Sequence, residues 1–317
     1  MAVEVATQQT VGNYRLTRLL GQGGFANIYL GEHMYLNTKV AVKVLNTWLA
    51  EEPEIKRFHT EAQMSANLRH KHIVRVLDFG LEEHLPFMVL EYAPNGTLRQ
   101  YFPSDEPLSL ETILPFVMQT ASALQYIHSQ GLIHCDIKPD NLLLGPNNDV
   151  WVSDFGIAQY AHSAEHSQGI CGTFAYTAPE QLQGKPVPAS DQYALAVMVY
   201  EWLCGQRPFR GTALGVCGQH LYSQPLSLRD RIPSISSAVE QIVFKALAKD
   251  PSQRFPCVLD FATALEKASM VEERAMHSWS SIWSKLQRRR SSELRPLNMS
   301  ILEAIQYTNS TEMLLTV

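Results

Sequence analysis

The chain has 317 residues, a formal charge of −5, 45% hydrophobic and 18% charged residues, which describes a globular protein with a sizeable core in one large or two modest folding units. The acidic balance excludes a general nucleic-acid binder, which needs a basic face, so no nucleic-acid partner is expected. No run of about 18 apolar residues offers a membrane span, and the N-terminus lacks the charged, apolar, small-residue succession of a signal peptide.

Residues 1–12 are polar and read as loose, within an N-terminal extension over 1–13. From Tyr14 the pattern predicts short strands over 14–20, 25–32, 39–45, 73–81 and 86–92, punctuated by turn residues such as Gly21-Gln22-Gly23-Gly24 and Leu36-Asn37-Thr38. One helix interrupts them over 54–68, with Phe58, Ala62, Ser65 and Leu68 on one face. After Ala93-Pro94-Asn95-Gly96 the pattern turns helical: 110–130 closed by Gly131, then 189–204, 236–249 and 257–268. The expected fold class is therefore α+β, with a β-rich lobe over 14–93 and a helical lobe over 94–267. From 268 to 317 the composition becomes polar and irregular, which marks a tail. The five cysteines, Cys135, Cys171, Cys204, Cys217 and Cys257, follow no paired spacing. Together with the missing leader, they lead to the expectation of a reduced, cytoplasmic setting.

Gly21-Gln22-Gly23-Gly24-Phe25-Ala26-Asn27-Ile28 matches a dinucleotide fingerprint, but that motif needs a helix after the glycines. Asn27 to Gly31 alternate like a strand instead. A strand–turn–strand hairpin can fold over nucleotide phosphates, because bare glycine backbone allows close approach; an ordinary hairpin turn remains the bland alternative. Val40-Ala41-Val42-Lys43 then places a lysine at the end of an apolar strand, where burial is costly unless an anion receives it. Phosphates beneath the glycine loop and Glu61 on the helix are the available anions.

The segment Leu132-Ile133-His134-Cys135-Asp136-Ile137-Lys138-Pro139-Asp140-Asn141-Leu142-Leu143-Leu144 flanks a carboxylate, a cation and an amide with apolar runs. Core packing does not require that arrangement. A further strand leads into Asp154-Phe155-Gly156. Phosphoryl transfer needs a proton acceptor for the hydroxyl, hard oxygen ligands for Mg²⁺, and positive charge near the transferred group. Asp136, then Asn141 with Asp154, then Lys138 supply these in turn.

Taken together, Gly21/Gly23, Lys43, Glu61, His134-x-Asp136, Asn141, Asp154-Phe155-Gly156 and Ala178-Pro179-Glu180 resemble the eukaryotic-like (Hanks-type) protein kinase family, with wording between them most like bacterial serine/threonine kinases. The resemblance covers about residues 14–267. It implies a two-lobed kinase fold, ATP and Mg²⁺ as cofactors, and protein substrates. By position, Leu20, Ile28, Ala41 and Leu143 would sandwich the adenine, Glu91 and Ala93 would bond it through their backbone, and Leu90 would be the gatekeeper. The glycine-loop residues Gly21, Gln22, Gly23, Gly24, Phe25, Ala26 and Asn27 would cover the phosphates. Lys43, held by Glu61, would reach the α- and β-phosphates. Asp191 and Arg254 resemble structural anchors, with Arg254 pairing Glu180. Lys138 and Gly172-Thr173 resemble the serine/threonine branch, in which Thr173 would bond Asp136 and Lys138. A nucleotide-binding pseudokinase scaffold is disfavoured because every catalytic position is filled. A metabolite kinase is disfavoured by Gly172-Thr173 and Ala178-Pro179-Glu180, which by the resemblance would form a peptide-docking segment that a metabolite kinase lacks.

Three positions depart from the family pattern. Ala26 replaces the loop's third glycine, which is tolerable if its φ stays negative. Cys135 replaces the arginine that usually precedes the catalytic aspartate and pairs with an activation-segment phosphate; activity independent of phosphorylation at Ser163 or Ser167 is therefore expected. Cys135 and Cys171 would meet near the site, and two inert thiols are the expectation over a redox pair. Arg69-His70-Lys71-His72 reads as a helix end and turn, and His162 with His166 lacks a third zinc ligand. In the tail, Trp279, Ile282, Trp283 and Leu286 recur at helical spacing beside Lys285 and Arg288-Arg289-Arg290. Such a stripe can pack on the protein itself, fit a regulatory partner, or lie on an anionic membrane surface.

Overall fold

The computed structural model describes residues 9–23, 26–46, 52–82, 85–155 and 173–270, with the side chains of 52–54, 57 and 173 left aside. The chain divides after Ser269 into two units, and the first carries the strands and helices of both lobes.

One six-stranded antiparallel sheet opens the fold. Its strands are β1 (Thr10–Val11), β2 (Tyr14–Gln22), β3 (Ala26–His33), β4 (Lys39–Leu45), β5 (Val76–Glu82) and β6 (Leu85–Glu91), in the order β1-β2-β3-β4-β6-β5. Strand alternation sorts β4 onto two faces. Val40, Val42 and Val44 join Val11, Tyr14, Leu16, Phe87 and Val89 in one cluster. Leu45 packs on the other face with Phe58 and Ala62 of helix α1 (Glu52–Asn67) and with Met88 of β6. Each fully buried valine stabilises this lobe by roughly 1.5–3 kcal/mol. The same period of two puts Lys43 on the face of Leu45, towards α1.

Two expectations for this lobe are corrected. Residues 10 and 11 are not loose: they pair with Arg15 and Tyr14, and Val11 is 1% exposed. A two-residue strand shows no alternation, so its pattern is invisible in the sequence. The strand expected from Ile73 begins only at Val76. The backbone before it is taken by the helical lobe, where Val74 N–H donates to the Val152 carbonyl at 3.0 Å and Val152 N–H donates to His72 at 2.9 Å. Those bonds tie the sheet lobe to the strand Val150–Val152 of the helical lobe. The His70–His72 stretch is the expected turn after α1, closed by Ile73 N–H on the His70 carbonyl.

The helical lobe is built on α3 (Leu110–Ser129) and α5 (Pro188–Cys204). Ser109 caps α3 by accepting from Thr112 N–H, and Gly131 follows it at φ +74°, a left-handed conformation suited to glycine. Every residue of α5 from Ser190 to Cys204 is buried, so it is the lobe's central rod. Short β7 (Leu142–Leu144) and β8 (Val150–Val152) form a hairpin. Around these stand α2 (Leu98–Tyr101), α4 (Pro179–Leu182), α6 (Ala213–Tyr222), α7 (Leu228–Arg231), α8 (Ser237–Ala246) and α9 over 258–270. Helix α8 ends three residues before its expected limit, and α9 runs two residues past its own. Among the described residues no helix is long and apolar enough to cross a membrane.

Candidate active site

The glycine segment is a hairpin, not a strand leading into a helix. β2 pairs with β3 from Tyr14↔His33 to Gln22↔Asn27, and Gly23 N–H donates to the Ala26 carbonyl at 2.9 Å. A Cβ on Gly23 would sit 3.1 Å from that carbonyl oxygen, which favours glycine there. Ala26 is not among the residues with positive φ, so its methyl causes no strain. Gly24 and Phe25 lie outside the described residues.

Beneath the hairpin, between the lobes, opens a cavity of about 530 Å³, within the range of small-molecule sites. Leu20, Gly21, Ile28 and Ala41 line it from the sheet, Glu91 and Ala93 from the connecting segment, and Leu143 with Asp154 from the helical lobe. Gln22, Gly23, Ala26 and Asn27 do not line it. Leu90 stands at its back. Glu91 N–H is engaged by the Arg75 carbonyl at 3.0 Å, so of its backbone Glu91 can offer a ligand the carbonyl oxygen and not the N–H. Val74, Thr97 and Gln100 also line the cavity. Nothing in their residue types distinguishes them, because only the folding of Val74 onto β8 and the Thr97–Gln100 capping box of α2 bring them there.

Lys43 does not line the cavity either, but its Nζ donates to Glu61 Oε1 at 2.8 Å and to Oδ1 of the lining residue Asp154 at 2.9 Å. Burial works against the Lys43 charge, but Asp154 and Glu61 outweigh it and hold the ammonium above its ordinary range. The two carboxyls diverge. Lys43 keeps Asp154 below the usual carboxylate range, whereas burial, reinforced by the Asp154 charge, lifts Glu61 despite Lys43.

Further down, Lys138 Nζ donates to Asp136 Oδ2 at 2.8 Å. Asn141 Nδ2 donates to the same oxygen at 2.9 Å and to the Asp136 carbonyl at 2.8 Å. Both are acceptor-only atoms, which fixes the amide's orientation and leaves its oxygen as the potential ligand atom. Among the described residues no group of three or more His, Cys, Asp or Glu gathers to hold a metal. Asn141 and Asp154 nevertheless fit Mg²⁺, which commonly takes one or two protein oxygens and completes its shell from phosphates and water.

The sequence over residues 14–269 matches the protein kinase domain. The chain belongs to the protein kinase family. Its relatives include the serine/threonine-protein kinase PrkC of Bacillus subtilis, 36% identical over 262 residues, covering 81% of this chain and 40% of the relative. PknB of Mycobacterium leprae is 38% identical over 252 residues, covering 76% and 40%, and PknB of Mycobacterium tuberculosis is 37% identical over 253 residues with the same coverage. The matched part spans about two-fifths of these relatives' length. The kinase thus groups with the bacterial serine/threonine branch and has its two-lobed fold, and the family's phosphoryl donor is ATP.

Two expected anchors of this kinase are in place. Asp191, buried in α5, accepts from His134 N–H and Cys135 N–H, both at 2.9 Å, and lies 2.7 Å from His128 Nε2. Arg254 Nη1 and Nη2 bond Glu180 Oε1 and Oε2 at 2.7 and 2.8 Å. Cys135 needs its anchor, because its φ of +65° is a left-handed conformation that a side chain resists. Gln181 Nε2 holds the Cys135 carbonyl from the other side at 2.6 Å. Sequence reading missed Gln181 and His128, which carry no motif of their own. It also missed Arg99 of α2, which joins Glu201 and the Tyr176 hydroxyl below the cavity. Burial, with Asp191 and Asp136 nearby, pushes the Cys135 thiol up to about 12, so it stays an unreactive thiol. The side chain of Thr173, with Gly156, Ser163, Ser167, Cys171, Gly172, the His162 and His166 pair, and Trp279, Ile282, Trp283 and Leu286 of the tail, lies outside the described residues.

Proposed function

We propose that this chain transfers the γ-phosphoryl group of Mg·ATP to serine and threonine hydroxyls of proteins, with Asp136 as catalytic base. The observation that carries the reading is Lys43, bound at once to Glu61 of the sheet lobe and to Asp154 of the helical lobe, which lines the cavity. Leu20, Ile28, Ala41 and Leu143 would sandwich the adenine, and the Glu91 carbonyl with the Ala93 backbone would receive its polar edge. The hairpin over 21–28 would cover the phosphates, with Lys43 against the α- and β-groups. Mg²⁺, held by Asn141 and Asp154, would neutralise charge on the phosphates.

Asp136 Oδ2 already takes two donors, so Oδ1 is the atom left to receive the proton of the attacking hydroxyl. Lys138 is placed to offset charge on the transferred group, and Thr173 would complete the acceptor site. In the test, wild type and Asp154→Asn are incubated with γ-labelled ATP, Mg²⁺ and a generic basic protein. Label in the acceptor's serines and threonines with wild type alone is expected. Equal labelling by both proteins would end this assignment.

Activity independent of activation-segment phosphorylation is part of the proposal. Among the described residues the charges that act on the Cys135 thiol are Asp191 and Asp136, so the position where the family carries an arginine has an anionic surrounding. Phosphatase-treated wild type and Ser163→Ala/Ser167→Ala should each turn over within about twofold of untreated wild type, since no charge-assisted pair is lost. A large loss of turnover refutes this. The kinase domain is taken as 14–267 in a cytoplasmic setting. The tail over 268–317 is proposed to contact a regulatory partner or an anionic membrane surface through its tryptophan and arginine stripe. Truncation after Ala268 should abolish co-sedimentation with anionic liposomes if the membrane is the target; binding that survives truncation removes the tail from the explanation.

A further inference from the structure

We infer that His220 is a positioning residue for the acceptor peptide's docking segment, the last donor of a one-way hydrogen-bond relay that runs from Lys249 through Tyr193 and His220 to the Ala175 carbonyl. The inference deepens the kinase reading above and takes its substrate side from it.

Helix α6 carries His220 into the interior, where it is fully buried. Its Nε2 lies 3.2 Å from the carbonyl oxygen of Ala175, and its Nδ1 lies 3.0 Å from the hydroxyl of Tyr193 on α5. A carbonyl oxygen only accepts, so Nε2 carries the hydrogen. Burial, aided by the Lys249 charge, lowers the imidazole pKa to about 4, so at neutral pH the ring has only that one N–H. Nδ1 is then an acceptor, and the Tyr193 hydroxyl must donate to it. Lys249 Nζ, a donor without lone pairs when charged, lies 3.4 Å from the Tyr193 oxygen and 3.2 Å from the Gln219 carbonyl. Every hydrogen in the row therefore points the same way, and both ends fix the direction.

The row ends on a useful place. Ala175 belongs to the one-turn 3₁₀ helix Thr173–Tyr176, which leads into Ala178-Pro179-Glu180. Arg254, which grips Glu180, lies with its guanidinium 4.8 Å from the centre of the Tyr193 ring. The docking segment is thus held at two points, Ala175 through His220 and Glu180 through Arg254, and both supports converge on Tyr193. None of these atoms touches the ATP cavity. The relay should govern where the acceptor peptide lies, and not how nucleotide binds.

Three variants of the full chain test this: His220→Leu, which removes both bonds; His220→Gln, which keeps an N–H able to reach Ala175; and Tyr193→Phe, which keeps the ring and cuts the relay at one atom. For His220→Leu the KM for a peptide acceptor is expected to rise about tenfold while the KM for ATP stays within about twofold, with most of the loss recovered in His220→Gln. Backbone amide exchange over 175–177 should rise in the same order. Should the leucine variant not fold, Tyr193→Phe takes its place, with a change in the same direction but smaller, because the His220 N–H still reaches Ala175. Equal changes in both KM values, no change in either, or a glutamine variant no better than leucine overturns the inference. If wild type phosphorylates no peptide, the kinase reading fails on its own, and amide exchange over 175–177 still decides whether the relay holds the segment.

Discussion

Asp136→Asn lowers phosphoryl transfer to a protein acceptor by about 10²–10⁴-fold, the usual contribution of a positioned general base, and leaves nucleotide affinity nearly unchanged. The side chain keeps its shape, so the loss is chemical. In the native protein Lys138 Nζ and Asn141 Nδ2 both donate to Oδ2, which leaves Oδ1 as the oxygen for the proposed proton transfer. An amide cannot serve both sides. With its oxygen towards Lys138 and Asn141, it presents N–H groups to the substrate hydroxyl and takes no proton. Flipped, it sets donor against donor at Lys138. Asp136 does not line the ATP cavity, so titration with a fluorescent nucleotide should give a dissociation constant close to wild type. Lys43→Met makes a useful contrast, because it strips both Glu61 and Asp154 of their cation and should weaken nucleotide binding together with turnover. Single-turnover transfer from γ-labelled ATP measures the first effect. An asparagine variant that keeps more than about a tenth of native activity excludes Asp136 as the base.

How much of this site was legible in the chain depends on how local each signal is. Lys43 stood out because it breaks an apolar alternation in which Val40, Val42 and Val44 occupy the opposite face, and a buried cation demands a partner wherever the strand lies. The 132–144 segment was legible for the same reason, since a carboxylate, a cation and an amide between apolar runs have no packing role. Supports that come from far along the chain were less accessible. The family resemblance supplied Asp191 and Arg254, but His128, Gln181 and His220 have ordinary residue types at unremarkable positions. His220 meets Ala175 across 45 residues and Gln181 meets Cys135 across 46. Helix α6 also escaped notice: Gly215 and Gly218 within Ala213–Tyr222 weaken its helical signal, which the Thr212 cap and the burial of Val216 and His220 offset. Arg99, on a four-residue helix, has no periodicity to reveal it.

Breaking the Arg254–Glu180 pair should cost this kinase about 3–5 kcal/mol of stability, because either truncation leaves a buried charge without its partner. The pair is bidentate, and Ser190 Oγ adds a third bond to Glu180 Oε1 at 2.6 Å. Arg254 reaches further than its partner, with donors to the carbonyls of Ala248, Ala189 and Lys249. Arg254→Met should therefore destabilise more than Glu180→Gln, since it orphans three carbonyls as well as the carboxylate. Burial opposes the Glu180 charge, but Arg254 and Ser190 outweigh it and hold the carboxyl below its ordinary range. A lowered native pKa gives stability that is complete above the unfolded value and fades as pH falls through the native one. Urea midpoints should consequently fall in acid for wild type, and that component should be missing from Glu180→Gln. The decisive measurement is the double variant Glu180→Gln/Arg254→Met. If the pair acts as a unit, the double variant loses less than the sum of the single losses, because no charge remains stranded. Strict additivity would mean that the two residues stabilise the lobe separately, and that Glu180 gains nothing from its contact with Arg254.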